Sequence, residues 1–335
     1  MMNLHATRRD FAAATAIAAA AMLPALSACA AGAADAAQNY PAKPVRIIIM
    51  SSPASGPDIL GRLIGTRLGE TWGQQFVVDN RAGASGNIGA EIAAASAPDG
   101  YTLLMVTSQA AIVTAMFDKL SYNLVKDFAP ISYLATTPFI MVVNPSVPAQ
   151  SVKDLIALAK GKPGELKYGS GGSGSPPHLA AEVFKSMTTT DILHVPYKSV
   201  SPALTDTISG QIQMTISVVP MVMPTVKAGK VRALGVTSQQ RTPLAPELPA
   251  IAEFVPGFEA IGWYGLVAPA KTPPAIIAKL NTELVKLMGS AEFRERLSTM
   301  GATPTGVGSQ EFGRHIVSEI DKARRIIKTA GVKPD

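Results

Sequence analysis

The stretch KYGSGGSGSPPHLAAEVFKSM, residues 167–187, decides the fold class of this chain. A short apolar strand is predicted to end at Tyr168, and a Gly/Ser loop follows it up to residue 175. Pro176 and Pro177 suit the first turn of a helix, and the apolar pattern continues through Leu179. A strand, a tight loop and a helix in this order are the repeating unit of an α/β fold.

The same loop predicts a site for an anion. Free N–H groups and the helix dipole at the start of the helix favour a negative charge in front of it. Glycines let the backbone approach closely, and serine hydroxyls add donors. The predicted ligand residues of this loop are Ser170, Gly171, Ser173, Gly174 and Ser175.

Two other interpretations of this loop were weighed. Gly169, Gly171 and Gly174 fit the dinucleotide pattern G-x-G-x-x-G, but the pattern also needs an acidic residue after the next strand. Asp191 instead precedes the predicted strand ILHVPYK, so the sequence predicts no nucleotide and no other cofactor. The second interpretation, a flexible Gly/Ser turn that binds no ligand, is not excluded by the sequence.

A matching loop lies near the start of the mature chain, in MSSPASGPDILGR, where residues 51–56 precede a helix that begins near Asp58. Asp58 is predicted either to cap this helix or to contact an amino or hydroxyl group of a ligand. Two helix N-termini facing each other would hold a carboxylate between them. The predicted ligand residues here are Ser51, Ser52, Ala54, Ser55, Gly56 and Asp58.

Strand and helix patterns alternate in two sets, which predicts two α/β lobes, each a mostly parallel sheet flanked by helices, with a ligand cleft between them. The extended runs PFIMVVNPSVPAQ and FEAIGWYGLVAPAKTP are predicted to pass between the lobes. The first lobe is predicted to contain residues 39–140 and 251–335, and the second residues 141–250.

Residues 1–38 are predicted to be an export signal, because a basic start precedes an apolar run and then small residues. Arg8 and Arg9 followed by Phe11 match a twin-arginine signal, and general secretion is the alternative. Cys29, the only cysteine, ends the lipobox-like sequence LSAC, so either lipidation of Cys29 or cleavage between residues 30 and 37 is expected. Both interpretations predict a periplasmic protein.

The composition disfavours several classes of function. The net charge is +6, but no dense basic run with interleaved aromatic residues is present, so nucleic acid is not a predicted partner. The sequence contains no paired cysteines, no H-E-x-x-H and no G-x-S-x-G, which predicts no metal site and no catalytic residue. His178 either lines the cleft or caps its helix.

Several separated motifs carry a family resemblance: NRAGASGNIGAE, APDGYTLL, YGSGGSGSPPHLAAEVF, KVRALGVTS and PGFEA. From about Tyr40 to the C-terminus the chain resembles the Bug family, the extracytoplasmic solute receptors of tripartite tricarboxylate transporters. The resemblance implies a two-lobe periplasmic binding protein, similar to type II, that is a monomer. It also implies capture of a small carboxylate and its delivery to membrane permease subunits.

By the same resemblance, Lys198 and Ser199 after VPY and Ser217 at a strand end are further candidate ligand residues. The first loop departs from the family, which usually reads roughly PFAAGG where this chain has MSSPAS at residues 50–55. The ligand is therefore expected to be a di- or tricarboxylate or a bulkier aromatic acid. An exported hydrolase with an unrecognised serine and a periplasmic partner of a membrane sensor kinase are the alternatives.

Overall fold

The computed structural model describes residues 38–332, and the predicted signal features Arg8, Arg9 and Cys29 lie outside them. The strands in this part are β1 (Val45–Ile49), β2 (Phe76–Asn80), β3 (Thr102–Thr107), β4 (Phe128–Val143), β5 (Lys167–Ser170), β6 (Leu193–Pro196), β7 (Met214–Val218), β8 (Arg232–Val236), β9 (Ile261–Pro269) and β10 (Thr303–Val307). The helices are α1 (Gly56–Trp72), α2 (Asn87–Ala94), α3 (Ser108–Met116), α4 (Val152–Gly161), α5 (Pro176–Thr188), α6 (Val200–Ser209), α7 (Val219–Lys227), α8 (Pro274–Gly289), α9 (Ala291–Thr299) and α10 (Ser309–Ala330).

The strands form one curled sheet with the order β2-β1-β3-β9-β4-β7-β5-β6, and β8 and β10 also pair with β4. The predicted parallel arrangement holds within β1–β3 and within β5–β7. The crossing strands β4 and β9 run antiparallel to each other and to their neighbours, which makes the whole sheet mixed. The α/β class predicted from the sequence is confirmed.

Strand β4 connects the two halves of the sheet. Its first part pairs with β9 and β10, and its second part, from Phe139 onward, pairs with β7 and β8. The sequence indicated only the apolar second part, because Pro130 and the polar residues of FAPISYLATTP interrupt the apolar pattern of the first part. A single strand therefore crosses from one lobe to the other.

Each half of the sheet has its own apolar core. One core contains Ile47, Leu60 and Leu280, and another contains Met141 and Phe184. The boundaries of the two lobes stay a prediction. Three apolar residues predicted to belong to the first lobe pack in the second core, against the β8 side of the sheet: Ile251, Val255 and Phe258. These contacts favour a return of the chain to the first lobe after residue 258.

Several elements did not stand out in the sequence. Helix α3 follows β3 without any turn residue between them, so the apolar run of the strand continues into the helix. Helix α7 contains Pro224 in its interior, where proline usually breaks a helix. Helix α9 and strand β10 were also missed, since both are short and mostly polar.

Helix α10 packs along both lobes. Phe312 near its start is fully buried beside Tyr133 and Trp263, whereas Ala323 in its second half packs with Ile112 of α3 and Leu179 of α5. Phe312 lies against Gly265 of β9 so closely that a Cβ atom at residue 265 would be 2.0 Å from its Cζ. This contact seats the helix on the crossing strands.

Replacement of Gly265 by alanine is expected to destabilise the protein, because the new methyl group must displace the Phe312 ring from a packed core. We expect the free energy of unfolding to fall by about 1–3 kcal/mol, measured by denaturant titration followed by circular dichroism. Gly289→Ala is the matched control, since no heavy atom outside its own helix lies within 4 Å of that position. The control should gain about 0.5–1 kcal/mol. Equal stability of Gly265→Ala and the wild type would contradict the packing argument.

Candidate functional site

A cavity of about 490 Å³ lies between the two lobes, at the carboxyl ends of the parallel strands. The loops after β1, β2 and β3 line it from the first lobe, and the loops after β5 and β6 with the end of β7 line it from the second. The crossing strands β4 and β9 form its floor. This is the position at which open α/β sheets bind their ligands.

Five helices begin at the wall of this cavity: α1, α2, α3, α5 and α7. Thr107 before α3 accepts a hydrogen bond from the backbone N–H of Gln109, so this helix start is capped by its own side chain. Among the residues that line the cavity, Lys198 is the only charged one. Helix N-termini and one cation give the cavity a positive potential, which favours an anion.

The first predicted loop is only partly at the cavity. Ser51 and Ser52 line it, and the Ser51 hydroxyl is 2.7 Å from the Ser55 hydroxyl, with which it shares a hydrogen bond. Ala54, Ser55 and Gly56 do not line the cavity. Ala54 takes a left-handed backbone conformation with φ 62°, and this turn directs its N–H back to Asp58 and not to a ligand.

The Asp58 carboxylate is hydrogen-bonded within the fold and does not line the cavity, so of its two interpretations the structural one is favoured. Its side chain is 2% exposed and accepts hydrogen bonds from Ala54 N at 2.9 Å, Asn80 Nδ2 at 2.9 Å and Arg62 Nε at 3.2 Å. Burial alone would raise the pKa of Asp58, but the hydrogen bonds from Arg62, Ala54 and Asn80 and the charge of Arg62 outweigh it and hold the pKa below its ordinary value. The carboxylate is therefore ionised and fully engaged within the fold.

The second loop, residues 171–175, approaches the cavity closely and is called the anion loop below. Gly171, Ser173 and Ser175 line the cavity. The Ser175 hydroxyl precedes α5, is buried, and makes no hydrogen bond within the part of the chain that the structure describes. A buried hydroxyl of this kind costs free energy until a partner arrives, so it favours a ligand with an acceptor group at this point.

Gly174 lies on the other side of the anion loop and contacts the first lobe instead of the cavity. It has a left-handed φ of 73°, and a Cβ atom there would be 2.5 Å from Met116 Cε of α3. Its carbonyl accepts a hydrogen bond from Gln109 Nε2 at 3.3 Å. The anion loop of the second lobe is therefore fixed against α3 of the first.

Ser170 and His178 lie behind the anion loop and do not line the cavity, so the geometry does not favour their predicted contact with the ligand. The Ser170 side chain is completely buried, and its hydroxyl is 2.6 Å from His194 Nε2. His178 sits in the first turn of α5 and turns back, so that its Nδ1 accepts a hydrogen bond from Gly174 N at 2.9 Å. Of the two interpretations of His178, capping of the loop is the one that fits.

The residues suggested by the family resemblance separate in the same way. Lys198 lines the cavity. Ser199 is the exposed N-cap residue of α6, and the buried Ser217 directs its hydroxyl to Met221 Sδ at 3.2 Å. Neither serine lines the cavity. Ser199 follows the lining residue Lys198 in the chain, and the Ser217 side chain points towards the start of α7.

The sequence analysis missed most of the cavity wall contributed by the first lobe. Gly83, Ser85 and Gly86 line it, and Ser85 and Ala84 hold left-handed conformations with φ 55° and 47°. The strand, Gly-rich loop and helix pattern around RAGASGN was the available signal, since it repeats the pattern of the other two loops. Such strained backbone positions cluster at functional sites.

Aromatic residues of the crossing strands form the apolar part of the cavity: Phe139, Trp263 and Tyr264. Burial raises the pKa of Tyr264 to about 12, so its hydroxyl stays protonated. That hydroxyl makes no hydrogen bond to the described residues and sits beside Gly56, where a Cβ atom would be 2.6 Å from it. No sequence signal marked Tyr264, because it lies about 200 residues after Gly56, the residue of the first loop that it contacts.

Within residues 38–332, no group of three or more His, Cys, Asp or Glu side chains is arranged to hold a metal ion. None of the helices in this part of the chain is both long and apolar enough to span a membrane.

Comparisons with known proteins agree with this geometry. A family model described as "Tripartite tricarboxylate transporter family receptor" matches residues 60–332. Protein BugT of Bordetella pertussis is 34% identical over 300 residues, which cover 89% of this chain and 92% of BugT.

Two solved structures are similar over nearly the whole described chain. The R. palustris protein Rpa4515, solved with adipate, has 38% sequence identity and a TM-score of 0.78, covering 88% of this chain and all of that one. MatC from Rhodopseudomonas palustris with bound malate has 27% identity and a TM-score of 0.73, covering 86% of this chain and all of MatC.

The hydrogen-bonded carboxylate of Asp58 predicts that the free energy of unfolding depends on pH. Because the pKa of Asp58 is lower in the folded protein than its unfolded value of about 3.9, its contribution is complete above pH 4 and is lost as the pH falls through the folded pKa. Asp58→Asn should lower the free energy of unfolding by about 1.5–3 kcal/mol at pH 7, since charge-assisted hydrogen bonds are lost. The difference from the wild type should shrink below pH 4.

Denaturant titrations at pH 7 and at pH 3 test this prediction. Asp321→Asn is the control, because Asp321 and its partner Arg324 are both exposed and their ion pair contributes at most about 1 kcal/mol. A loss for Asp58→Asn that is the same at both pH values would show that the charge of Asp58 is not what holds the loop.

Proposed function

Because the chain belongs to the Bug family, the receptors of tripartite tricarboxylate transporters, we propose that it captures a small organic carboxylate with two acid groups. We further propose that it works in the periplasm and delivers this ligand to the membrane permease subunits of such a transporter. The periplasmic location is supported by the export pattern of residues 1–38 and by the extracytoplasmic character of the family. Mass spectrometry of the mature protein tests whether Cys29 carries a lipid anchor.

The observation that carries this proposal is the convergence of five helix N-termini on one cavity in which Lys198 is the only charged lining residue. Backbone N–H groups and hydroxyls hold an anion without the large desolvation cost of burying several cations. No acidic side chain is among the lining residues, so the cavity offers no carboxylate partner for an amino group. This donor set is suited to carboxylates and poorly suited to amino acids or sugars.

Two sets of donors face the ligand from opposite lobes. The anion loop with Ser175 and the nearby Lys198 supplies one set, and Ser51, Ser52 and the Tyr264 hydroxyl supply the other. The aromatic side chains of Phe139 and Trp263 lie on the floor and suit the carbon chain between two acid groups. Adipate and malate, the ligands of the two similar R. palustris structures, are both dicarboxylates.

The first loop differs from the family pattern in the residues that it places at the cavity. Met50, Ser51 and Ser52 line the cavity where the family usually has an aromatic residue and nearby glycines. In this chain the aromatic surface comes from β4 and β9 instead. We therefore favour a flexible aliphatic dicarboxylate over a bulky aromatic acid, since Met50 and the aromatic residues already occupy the apolar side of the cavity.

The hydrolase alternative gains no support from the serine and histidine pair Ser170 and His194. The Ser170 hydroxyl is 2.6 Å from His194 Nε2. Ser170 is completely buried behind the anion loop and does not line the cavity. A buried hydroxyl cannot attack a ligand held on the other side of the loop.

A thermal-shift screen of the mature protein tests the proposed ligand class. Di- and tricarboxylates, aromatic acids, amino acids and sugars should be compared at equal concentration. A dicarboxylate at a hundred times its Kd should stabilise the folded protein by about 2.7 kcal/mol and raise the unfolding midpoint, because it binds only the folded state. Stabilisation by sugars or amino acids alone would overturn the proposal.

The Gly171→Val variant locates the binding site in the same screen. A Cβ atom at residue 171 would lie 3.2 Å from Val200 Cγ2, so a branched side chain must push the anion loop away from α6. With folding confirmed by circular dichroism, this variant should show no shift with any carboxylate. A shift equal to that of the wild type would place the ligand elsewhere.

Tyr264→Phe is expected to weaken dicarboxylate binding roughly ten- to a hundredfold, measured by titration calorimetry. The hydroxyl is the only atom removed, and a hydrogen bond to a charged group is worth about 1.5–3 kcal/mol. The stability of the ligand-free variant should not fall, because the hydroxyl has no partner within the described fold.

Tyr40→Phe is the matched control, since its hydroxyl donates to Gly100 O at 2.8 Å in a buried position far from the cavity. This variant should lose stability by about 1 kcal/mol and keep its affinity. The prediction for Tyr264 fails if Tyr264→Phe binds as tightly as the wild type.

A further inference from the structure

Two histidine rings lie directly beneath the anion loop and stack on each other. His178 on α5 and His194 on β6 have ring centroids 3.9 Å apart and an interplanar angle of 9°. Tyr168 on β5 stacks against His194 on the other side at 4.9 Å. Neither histidine lines the cavity, so the ligand does not contact them.

Each ring is hydrogen-bonded to one end of the anion loop. His178 Nδ1 accepts from Gly174 N at 2.9 Å, and the carbonyl of the same Gly174 holds Gln109 of the first lobe. His194 Nε2 is 2.6 Å from the Ser170 hydroxyl, which also accepts from Gly172 N at 3.2 Å. The two imidazoles therefore set where the loop begins, where it ends and how it meets the opposite lobe.

The charged surroundings of this pair are few. Glu182 on α5 is 6% exposed, its Oε1 lies 3.9 Å from His178 Nε2, and it accepts from Tyr168 Oη at 2.5 Å and from Lys185 Nζ at 2.7 Å. Strand β7 places no titratable residue against α5. Glu259, before β9, and Glu319 and Lys322 of α10 face another side of α5, where they border a small cleft.

Proton uptake by His178 conflicts with the shape of the anion loop. Nδ1 accepts from Gly174 only while it is unprotonated, and a proton there would place two N–H groups against each other. It would also put a cation against the stacked ring of His194, while the Glu182 carboxylate would stabilise that cation. Gly174 and its contact with Gln109 would then have to move.

We propose that His178 and His194 are positioning residues that hold the anion loop in its binding shape while His178 is neutral, and that protonation of His178 weakens ligand binding. This inference rests on the proposed function, because the loop must bind a carboxylate for its shape to matter. Its sign is opposite to that of a histidine in direct contact with an anion. Affinity is complete at high pH and declines as the pH falls.

Titration calorimetry with adipate and malate between pH 8 and pH 5.5 tests the inference on the wild type and on His178→Asn. The Oδ1 of asparagine takes the place of Nδ1 as an acceptor for Gly174 N, but it does not take up a proton. We expect the wild-type affinity to fall by up to about tenfold per pH unit, the limit for one proton. His178→Asn should bind almost as well as the wild type at pH 8 and lose much less affinity on acidification.

Protonation of the ligand itself affects both proteins equally, so the ratio of their affinities at each pH is the readout. His178→Ala, which lacks the acceptor, should bind weakly at every pH. His315→Asn is the control, because this ring stacks on Tyr133 at 4.4 Å and touches no residue of the anion loop. It should keep the wild-type pH profile.

The outcomes separate this inference from the proposed function. If neither the wild type nor any variant binds a carboxylate at pH 8, the proposed function is wrong and the inference falls with it. If the wild type binds and the ratio of wild-type to His178→Asn affinity does not change with pH, only the inference is wrong. Unchanged binding by His178→Ala would also overturn it.

Discussion

The continuous backbone pairing of β4 is the constraint on which the rest of the structure depends. This strand of 16 residues pairs with β9 and β10 in one lobe and with β7 and β8 in the other. The β1–β3 set runs in the same direction as β4 and the β5–β7 set runs against it, so their carboxyl ends point towards each other near the middle of β4, at Ala135 and Phe139. The helices that follow those strands must then begin at one common cavity.

That convergence explains how the protein attracts an anion with so little charge. Each helix start contributes N–H groups that have no partner within the helix, and their partial charges add at the cavity. Lys198 is exposed and reaches the cavity from its rim, so its cost of burial is small. Contact of Gly174 with Met116 and Gln109 holds the two halves of this donor set at a fixed separation.

The sequence predicted the elements of the fold better than the directions of individual side chains. The strand, Gly/Ser loop and helix pattern located Ser51, Ser52 and the anion loop, because this pattern is local. It did not tell which residues turn away from the cavity: Asp58 and His178 each lie in the first turn of a helix and bond back to the loop before it. Tyr264 and Trp263 were not predicted as site residues. They lie on β9, and only the pairing of β9 with β4 brings this strand to the cavity.

The position of the histidines one layer behind the loop determines the sign of any proton effect on binding. An imidazole in contact with a carboxylate gains a proton as the ligand arrives, and acid then strengthens binding. An imidazole that accepts a hydrogen bond from the loop must lose its proton for the loop to form, so acid weakens binding. The 2.9 Å bond from Gly174 N to His178 Nδ1 therefore places proton uptake and ligand binding in competition, although the two sites share no atom.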